Sequence, residues 1–177
     1  MIQMDFLLER VATPLGQMLI VTDEQQRLRA LDWQDHEDDM HVLFRRQYRE
    51  HSIVLHETST VSPATQAMLE YFDGNIPAID QIAVATGGTD FQQAVWKALR
   101  EIPHGHTISY GTLAQRIGRP AAVRAVGMAN GANPVSIVIP CHRVIGANQS
   151  LTGYGGGLPR KQWLLAHESR MLTGSLI

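Results

Sequence analysis

Gly111-Thr112-Leu113-Ala114-Gln115-Arg116-Ile117-Gly118-Arg119-Pro120-Ala121-Ala122-Val123-Arg124-Ala125-Val126-Gly127-Met128-Ala129-Asn130 reads as two helices joined by a tight turn. Leu113, Ala114 and Ile117 mark an apolar face over about 111–117, and Gly118 suits a helix stop. Pro120 fits the first position of a second helix running from Ala121 to about Asn130, where its missing N–H costs nothing. Such a pair is the signature of a helix-turn-helix. In the second helix Arg124 is the only long basic side chain, and polar groups that would read major-groove edges are few. Its small residues suit a narrow minor groove or a close protein neighbour. Two packed helices without a ligand is the plainer alternative.

Working outward, Thr89-Asp90-Phe91-Gln92 has a capping-box pattern, predicting a helix with Phe91, Val95, Trp96 and Leu99 on one side, stopped by Pro103. On the other flank, the apolar run Val135-Ser136-Ile137-Val138-Ile139 predicts a strand that ends in Pro140-Cys141-His142-Arg143-Val144. Cys141 is the single cysteine of the chain. A thiol beside an imidazole can act as a nucleophile, because the histidine raises the thiolate population. A buried cysteine acting as a small hydrophobe is the competing reading.

The chain has 177 residues, 44% of them hydrophobic, enough for one good-sized domain or two small ones. One cysteine supports neither an internal disulfide nor a multi-thiolate metal site, so a reducing compartment is expected. The start, Met1-Ile2-Gln3-Met4-Asp5-Phe6, has no basic, apolar leader. No apolar run approaches the roughly 18 residues of a membrane helix, so a soluble, cytoplasmic protein with no membrane partner is expected. The net charge of −2 hides a split: residues 1–84 hold 6 Lys+Arg against 14 Asp+Glu, and residues 85–177 hold 9 against 3. The basic half either faces a polyanion or carries an ordinary solvated surface.

That change of sign coincides with the small, glycine-rich Ala83-Val84-Ala85-Thr86-Gly87-Gly88-Thr89, which suggests domains of 1–84 and 85–177. In the first, strands are expected over 4–12, 17–22 and 27–33, with a turn at Thr13-Pro14-Leu15-Gly16. Asp35 is expected to cap a helix carrying Met40, Leu43, Phe44 and Tyr48. Ser62-Pro63 is expected to open another, with Met68, Tyr71 and Phe72 inward and Gly74 as the stop. These stripes read as core, and nothing in this half carries chemistry.

Taken together, Tyr110, Arg124, Asn133-Pro134, Pro140-Cys141-His142-Arg143-Val144, Gly153-Tyr154-Gly155-Gly156 and Trp163-Leu164-Leu165-Ala166-His167-Glu168 resemble the O6-alkylguanine-DNA alkyltransferase family over residues 89–170. The bacterial stand-alone type is the most similar. The resemblance implies a two-domain α+β fold: a ribonuclease-H-like N-terminal domain and a mainly helical C-terminal domain with a winged helix-turn-helix. It implies a monomer that irreversibly takes a methyl or small alkyl group from O6-alkylguanine, and from O4-alkylthymine, in double-stranded DNA.

In that family's pattern Cys141 would be the nucleophile, His142 would accept its proton through a water, and Glu168 would orient His142. Tyr110 would give a proton or hydrogen bond to the departing guanine and help turn the base out. Asn133 would be a hinge between recognition helix and active site. Arg124 would fill the gap left by the flipped base, with Ala122, Val123, Ala125 and Gly127 docking in the minor groove. Val144, Tyr154, Gly155 and Gly156 would form the alkylguanine pocket. Arg143 fits either structural support or phosphate contact.

No cofactor is expected. Relatives with an N-terminal zinc site use cysteines and histidines, whereas this half has no cysteine and His36, His41, His51 and His56 lack ligand spacing, so no metal is expected. The family's adaptive-response member has an extra regulatory domain with its own reactive cysteine; none is expected here, so repair without transcriptional control is the expectation. The alternatives are a non-catalytic alkyltransferase-like damage-binding protein, which would lack the cysteine present here, a helix-turn-helix transcription factor, and a hydrolase with a Cys-His-Glu triad.

Overall fold

The computed structural model describes residues 1–146 and 153–174. It is an α+β structure that divides into two compact units, Met1–Gly88 and Thr89–Ile177.

In the first unit, β1 (Ile2–Thr13), β2 (Gly16–Thr22), β3 (Leu28–Trp33) and β4 (His51–Glu57) form one sheet in the order β3-β2-β1-β4. β1 and β2 are an antiparallel hairpin whose register runs from Leu7↔Thr22 to Thr13↔Gly16. Gly16 has φ 115°, a left-handed value that a side chain would resist, and the Thr13 hydroxyl donates to its carbonyl at 2.7 Å. The β2–β3 connection is held by Asp23, whose carboxylate accepts from the backbone N–H groups of Gln25 and Arg27, both at 2.9 Å.

β2 is buried from Met18 to Thr22, as a central strand covered on both faces must be. On one face Phe6, Leu8, Leu19, Val21 and Ala30 pack with Met40, Phe44 and Tyr48 from α1 (Glu37–Gln47) and its end. α2 (Pro63–Phe72) packs against β1 and β2. Its N-terminus is capped as expected, with the Ser62 hydroxyl accepting from Thr65 N at 3.2 Å.

Two expectations for this unit need correction. Asp35 is not a helix cap: it lies in a 3-10 turn, Gln34–His36, and α1 begins at Glu37 with no side-chain cap. The acidic Glu37, Asp38 and Asp39 in its first turn complement the helix dipole instead. The sheet also has a fourth strand: β4 pairs parallel with β1 from Ile2↔His51 to Leu8↔Glu57. Its apolar core is only Ile53-Val54-Leu55, too short a run to announce a strand without its partner.

The units divide after Gly88, not at Val84, because the intervening residues are bonded to the sheet unit. Leu28 N donates to Ala83 O at 2.8 Å and Ala85 N to Leu28 O at 3.0 Å. Gly87 N donates to the Tyr48 hydroxyl at 3.1 Å, and a Cβ at Gly87 would fall 2.7 Å from the Gln47 carbonyl oxygen.

The second unit is mainly helical: α3 (Asp90–Arg100), α4 (Tyr110–Arg116), α5 (Val123–Gly131) and α6 (Leu158–Gly174), with the short parallel pair β5 (Ile108–Ser109) and β6 (Val144–Ile145). The capping box is complete: Gln92 N donates to the Thr89 hydroxyl at 3.1 Å and Thr89 N to the Gln92 side chain at 3.0 Å. Val95, Trp96, Ala98 and Leu99 form the buried face of α3. Thr89→Ala is expected to cost about 1 kcal/mol, measured as a lower urea midpoint with an unchanged slope.

α5 starts three residues later than Pro120 suggested. Arg119–Ala122 form a turn in which Ala122 N donates to Arg119 O at 2.9 Å, so Pro120 serves the turn and Ala122 is the helix boundary. Among the described residues no helix is long and apolar enough to cross a membrane.

Candidate active site

Cys141, His142 and Arg143 form a single 3-10 turn, buried and placed just before β6. The run ahead of them is not the expected strand. Val135 is a lone bridge residue and Ser136–Ile139 turn, with the apolar side chains buried and the turns closed by Val138 N to Ser136 O at 2.8 Å and Ile139 N to Val135 O at 3.0 Å. Ile137 has φ +71°, which is costly for a β-branched residue and breaks the pleat. Hydrophobicity buries the apolar side chains, but Pro134, Pro140 and this kink keep the bridge at Val135 from extending into a ladder.

Asn133 supports the turns. Its carbonyl oxygen accepts from Val135 N at 2.9 Å, and its amide donates to Ile139 O at 2.7 Å. That same Ile139 oxygen accepts from Cys141 N at 2.8 Å. One carbonyl therefore links the end of α5 to the backbone of the cysteine.

α6 brings Glu168 to the turn. Lys161, Leu164 and Glu168 recur at helical spacing on its buried side. His142 Nε2 lies 2.8 Å from Glu168 Oε2. Arg143 approaches the same carboxylate as a fork, with Nε donating to Oε1 at 2.8 Å and Nη2 to Oε2 at 3.0 Å, while Nη1 donates to Ile102 O at 2.7 Å. Arg143 is thus a structural support, not a surface phosphate grip.

Burial by itself would raise the Glu168 carboxyl; the His142 charge and hydrogen bond, and then Arg143, overcome it and hold the group well below the usual carboxylate range. An ionised Glu168 can only accept, so the His142 nitrogen that faces it, Nε2, carries a proton. Nδ1 is buried and hydrogen-bonded to no protein group among the described residues.

The sequence marks Lys161 only as one of the nine basic residues of 85–177. Its side chain is fully buried and donates from Nζ to Val144 O at 2.6 Å. Burial pushes its ammonium down from the usual lysine range, and the neighbouring Cys141 acts the other way. With Arg143 it removes two cations from the charge available to an outside polyanion. No local signal marks it, because an amine within a helix of mixed polarity looks solvated until the fold covers it.

Tyr110 is the first residue of α4, whose N-cap Ser109 accepts from Thr112 N at 3.1 Å. The parallel pairs Ile108↔Val144 and Ser109↔Ile145 carry it alongside the cysteine turn. Its ring borders α5 and its hydroxyl the glycine loop. A Cβ at Gly127 would sit 3.9 Å from Cδ1 and Cε1, and one at Gly153 would sit 3.9 Å from Oη.

Of the expected pocket residues, Val144 is fully buried at the start of β6 and Gly156 is buried, whereas Tyr154 is half-buried and Gly155 exposed in the turn leading to α6. Arg124, Val123 and Ala125 are exposed on α5, and Ala122 and Gly127 are partly so. Trp96 Nε1 donates to Ala129 O at 2.9 Å and fixes the opposite, buried side of that helix.

The arrangement is a buried thiol next to an imidazole held by an ionised carboxylate, with a second cation nearby. Such a group of residues can generate a thiolate and has no need of a metal to do so.

Residues 90–170 match the family described as 6-O-methylguanine DNA methyltransferase, DNA binding domain. The chain is 51% identical over 164 residues to the methylated-DNA–protein-cysteine methyltransferase of Salmonella typhimurium, spanning 93% of this chain and 96% of that one. It is similar to the crystal structure of Mycobacterium tuberculosis O6-methylguanine methyltransferase, with TM-score 0.73 and 36% identity over 94% of both chains. The Mycobacterium tuberculosis OGT structure in complex with DNA is similar to the same degree, with TM-score 0.73 and 37% identity over 93% of this chain and 94% of that one. With half its residues shared across almost the full length of a relative, the chain belongs to the methylated-DNA–protein-cysteine methyltransferase family.

Proposed function

We propose that this protein repairs double-stranded DNA by moving a methyl or small alkyl group from guanine O6, and from thymine O4, onto its own Cys141. The observation that carries the reading is the buried His142–Glu168 contact of 2.8 Å, adjoining the cysteine of a chain in this family.

His142 Nδ1 takes the thiol proton, through a water in the family's pattern, and Glu168 stabilises the imidazolium that results. The thiolate attacks the alkyl carbon in line. The Sγ–C bond forms as the C–O6 bond breaks, and the electron pair leaves with the guanine. Tyr110 supplies a proton or hydrogen bond to that leaving group. The buried Lys161 favours the thiolate by charge and braces the pocket wall through Val144. A thioether is a poor leaving group, so each molecule acts once.

Asn133 couples α5 to the cysteine turn through Ile139. Val144, Tyr154, Gly155 and Gly156 hold the extruded base, and Arg124 takes its place in the stack while Ala122, Val123, Ala125 and Gly127 allow close approach in the minor groove. The sheet order β3-β2-β1-β4, with β4 parallel to β1, supports a ribonuclease-H-like N-terminal domain. The α4–α5 pair beside β5 and β6 supports a winged helix-turn-helix in the C-terminal one. The same reading makes the protein a cytoplasmic monomer that uses no cofactor.

The test is incubation with a duplex carrying O6-methylguanine, followed by peptide mapping. Stoichiometric addition of one methyl group to Cys141 is expected. Lesion loss with Cys141 unmodified would overturn the reading, and return to the starting mass would indicate a hydrolase. Arg124→Ala is expected to slow repair of duplex DNA about tenfold more than reaction with free O6-benzylguanine, because flipping costs a few kcal/mol only in the duplex. Equal losses on both substrates would remove Arg124 from that role.

A further inference from the structure

We propose that Met128 is a second groove contact of α5: an apolar side chain that packs into the DNA minor groove one helical turn beyond Arg124. The inference rests on the reading of α5 as the helix that meets DNA, and it adds a residue to which no role has been given.

α5 has a fixed orientation. Val126, Ala129 and Asn130 are buried, and the Trp96 indole holds the Ala129 carbonyl from inside. The outward face therefore cannot roll away from a partner. Arg124 and Met128 are four residues apart, so they lie on that face in successive turns. Met128 is 72% exposed and Val123 40% exposed. Isolated apolar residues are ordinary on protein surfaces; what distinguishes Met128 is its place. On the exposed side of α5 it is the only long side chain apart from Arg124, and it is apolar where a phosphate grip would be basic.

A methionine suits such a site. Its unbranched thioether adapts to irregular walls, and apolar side chains, Met included, wedge at base steps when proteins bend DNA from the minor groove. A long polar partner could not be desolvated there so cheaply. The physical distinction from Arg124 is measurable. Arg124 neutralises charge and releases counterions, whereas Met128 contributes by burial and leaves the salt dependence alone.

The experiment compares wild type, Met128→Ala, Met128→Leu and Arg124→Ala. Affinity for an O6-methylguanine duplex is measured across salt concentrations, and alkylation rates are measured on that duplex and on free O6-benzylguanine. Met128→Ala is expected to weaken duplex binding about tenfold, with the wild-type slope of affinity against salt. Its ratio of duplex rate to free-base rate is expected to fall similarly, and Met128→Leu to recover most of both. Arg124→Ala should instead lower the salt slope by about one.

Duplex affinity of Met128→Ala within twofold of wild type would overturn the assignment. So would a changed salt slope, or equal losses on duplex and free base. If Arg124→Ala is impaired while Met128→Ala is not, the Met128 assignment alone fails. If wild type takes no methyl group from the duplex, the reading of the whole site fails, and this inference with it.

Discussion

Cys141→Ser is expected to abolish methyl uptake from an O6-methylguanine duplex while leaving the fold and duplex binding in place. The serine hydroxyl is nearly isosteric and can occupy the same buried 3-10 turn, so packing changes little. Its deprotonation is far harder than that of a thiol, and neither His142 nor Lys161 can supply the difference at neutral pH. Mass spectrometry after incubation should show no adduct, and a binding titration should show wild-type-like affinity. Any stoichiometric methyl adduct on the variant would place the acceptor elsewhere.

Glu168→Gln should have the largest effect on stability and should also disable the chemistry. The carboxylate takes three hydrogen bonds, one from His142 and two from Arg143, within a site closed to solvent. Neutralising it leaves the Arg143 guanidinium buried without its counter-ion, a change that costs about 3–5 kcal/mol in comparable pairs. It also removes the group that sets the His142 tautomer, and loss of a positioned base lowers rates by about 10²–10⁴-fold. The measurements are chemical denaturation at low temperature and the single-turnover rate on duplex. A variant as stable as wild type, or one that reacts at the wild-type rate, would contradict the assigned role.

The same carboxylate sets an acid limit. Its folded pKa is depressed below the unfolded carboxylate value of about 4.3, so at neutral pH its contribution to stability is fully present. That contribution declines as pH falls below the unfolded value toward the folded one. Wild type should therefore lose stability on acidification through this range more steeply than Glu168→Gln. Parallel acid profiles would show that Glu168 does not carry the linkage.

Much of the local structure could be read without the fold. Thr89-Asp90-Phe91-Gln92 and Ser62-Pro63 encode their own helix starts, because a cap needs only residues within one turn. Thr13-Pro14-Leu15-Gly16 encodes a hairpin for the same reason. β4 could not be read this way, since its short apolar run becomes a strand only beside β1. Nor could Val135–Ile139, where hydrophobicity predicts burial correctly but does not choose between a ladder and turns.

The amino-acid sequence alone determined which chemistry is possible: one thiol, an adjacent imidazole, and the spaced residues that place them in a known family. Tertiary structure decided the electrical state of that thiol's surroundings. Glu168 lies 26 residues from His142, and Arg143 reaches 41 residues back to Ile102, so neither contact is set by local preference. Packing of α6 against the cysteine turn buries these groups, and only then does Glu168 hold Arg143 and His142 in place while Lys161 is fixed on Val144 O.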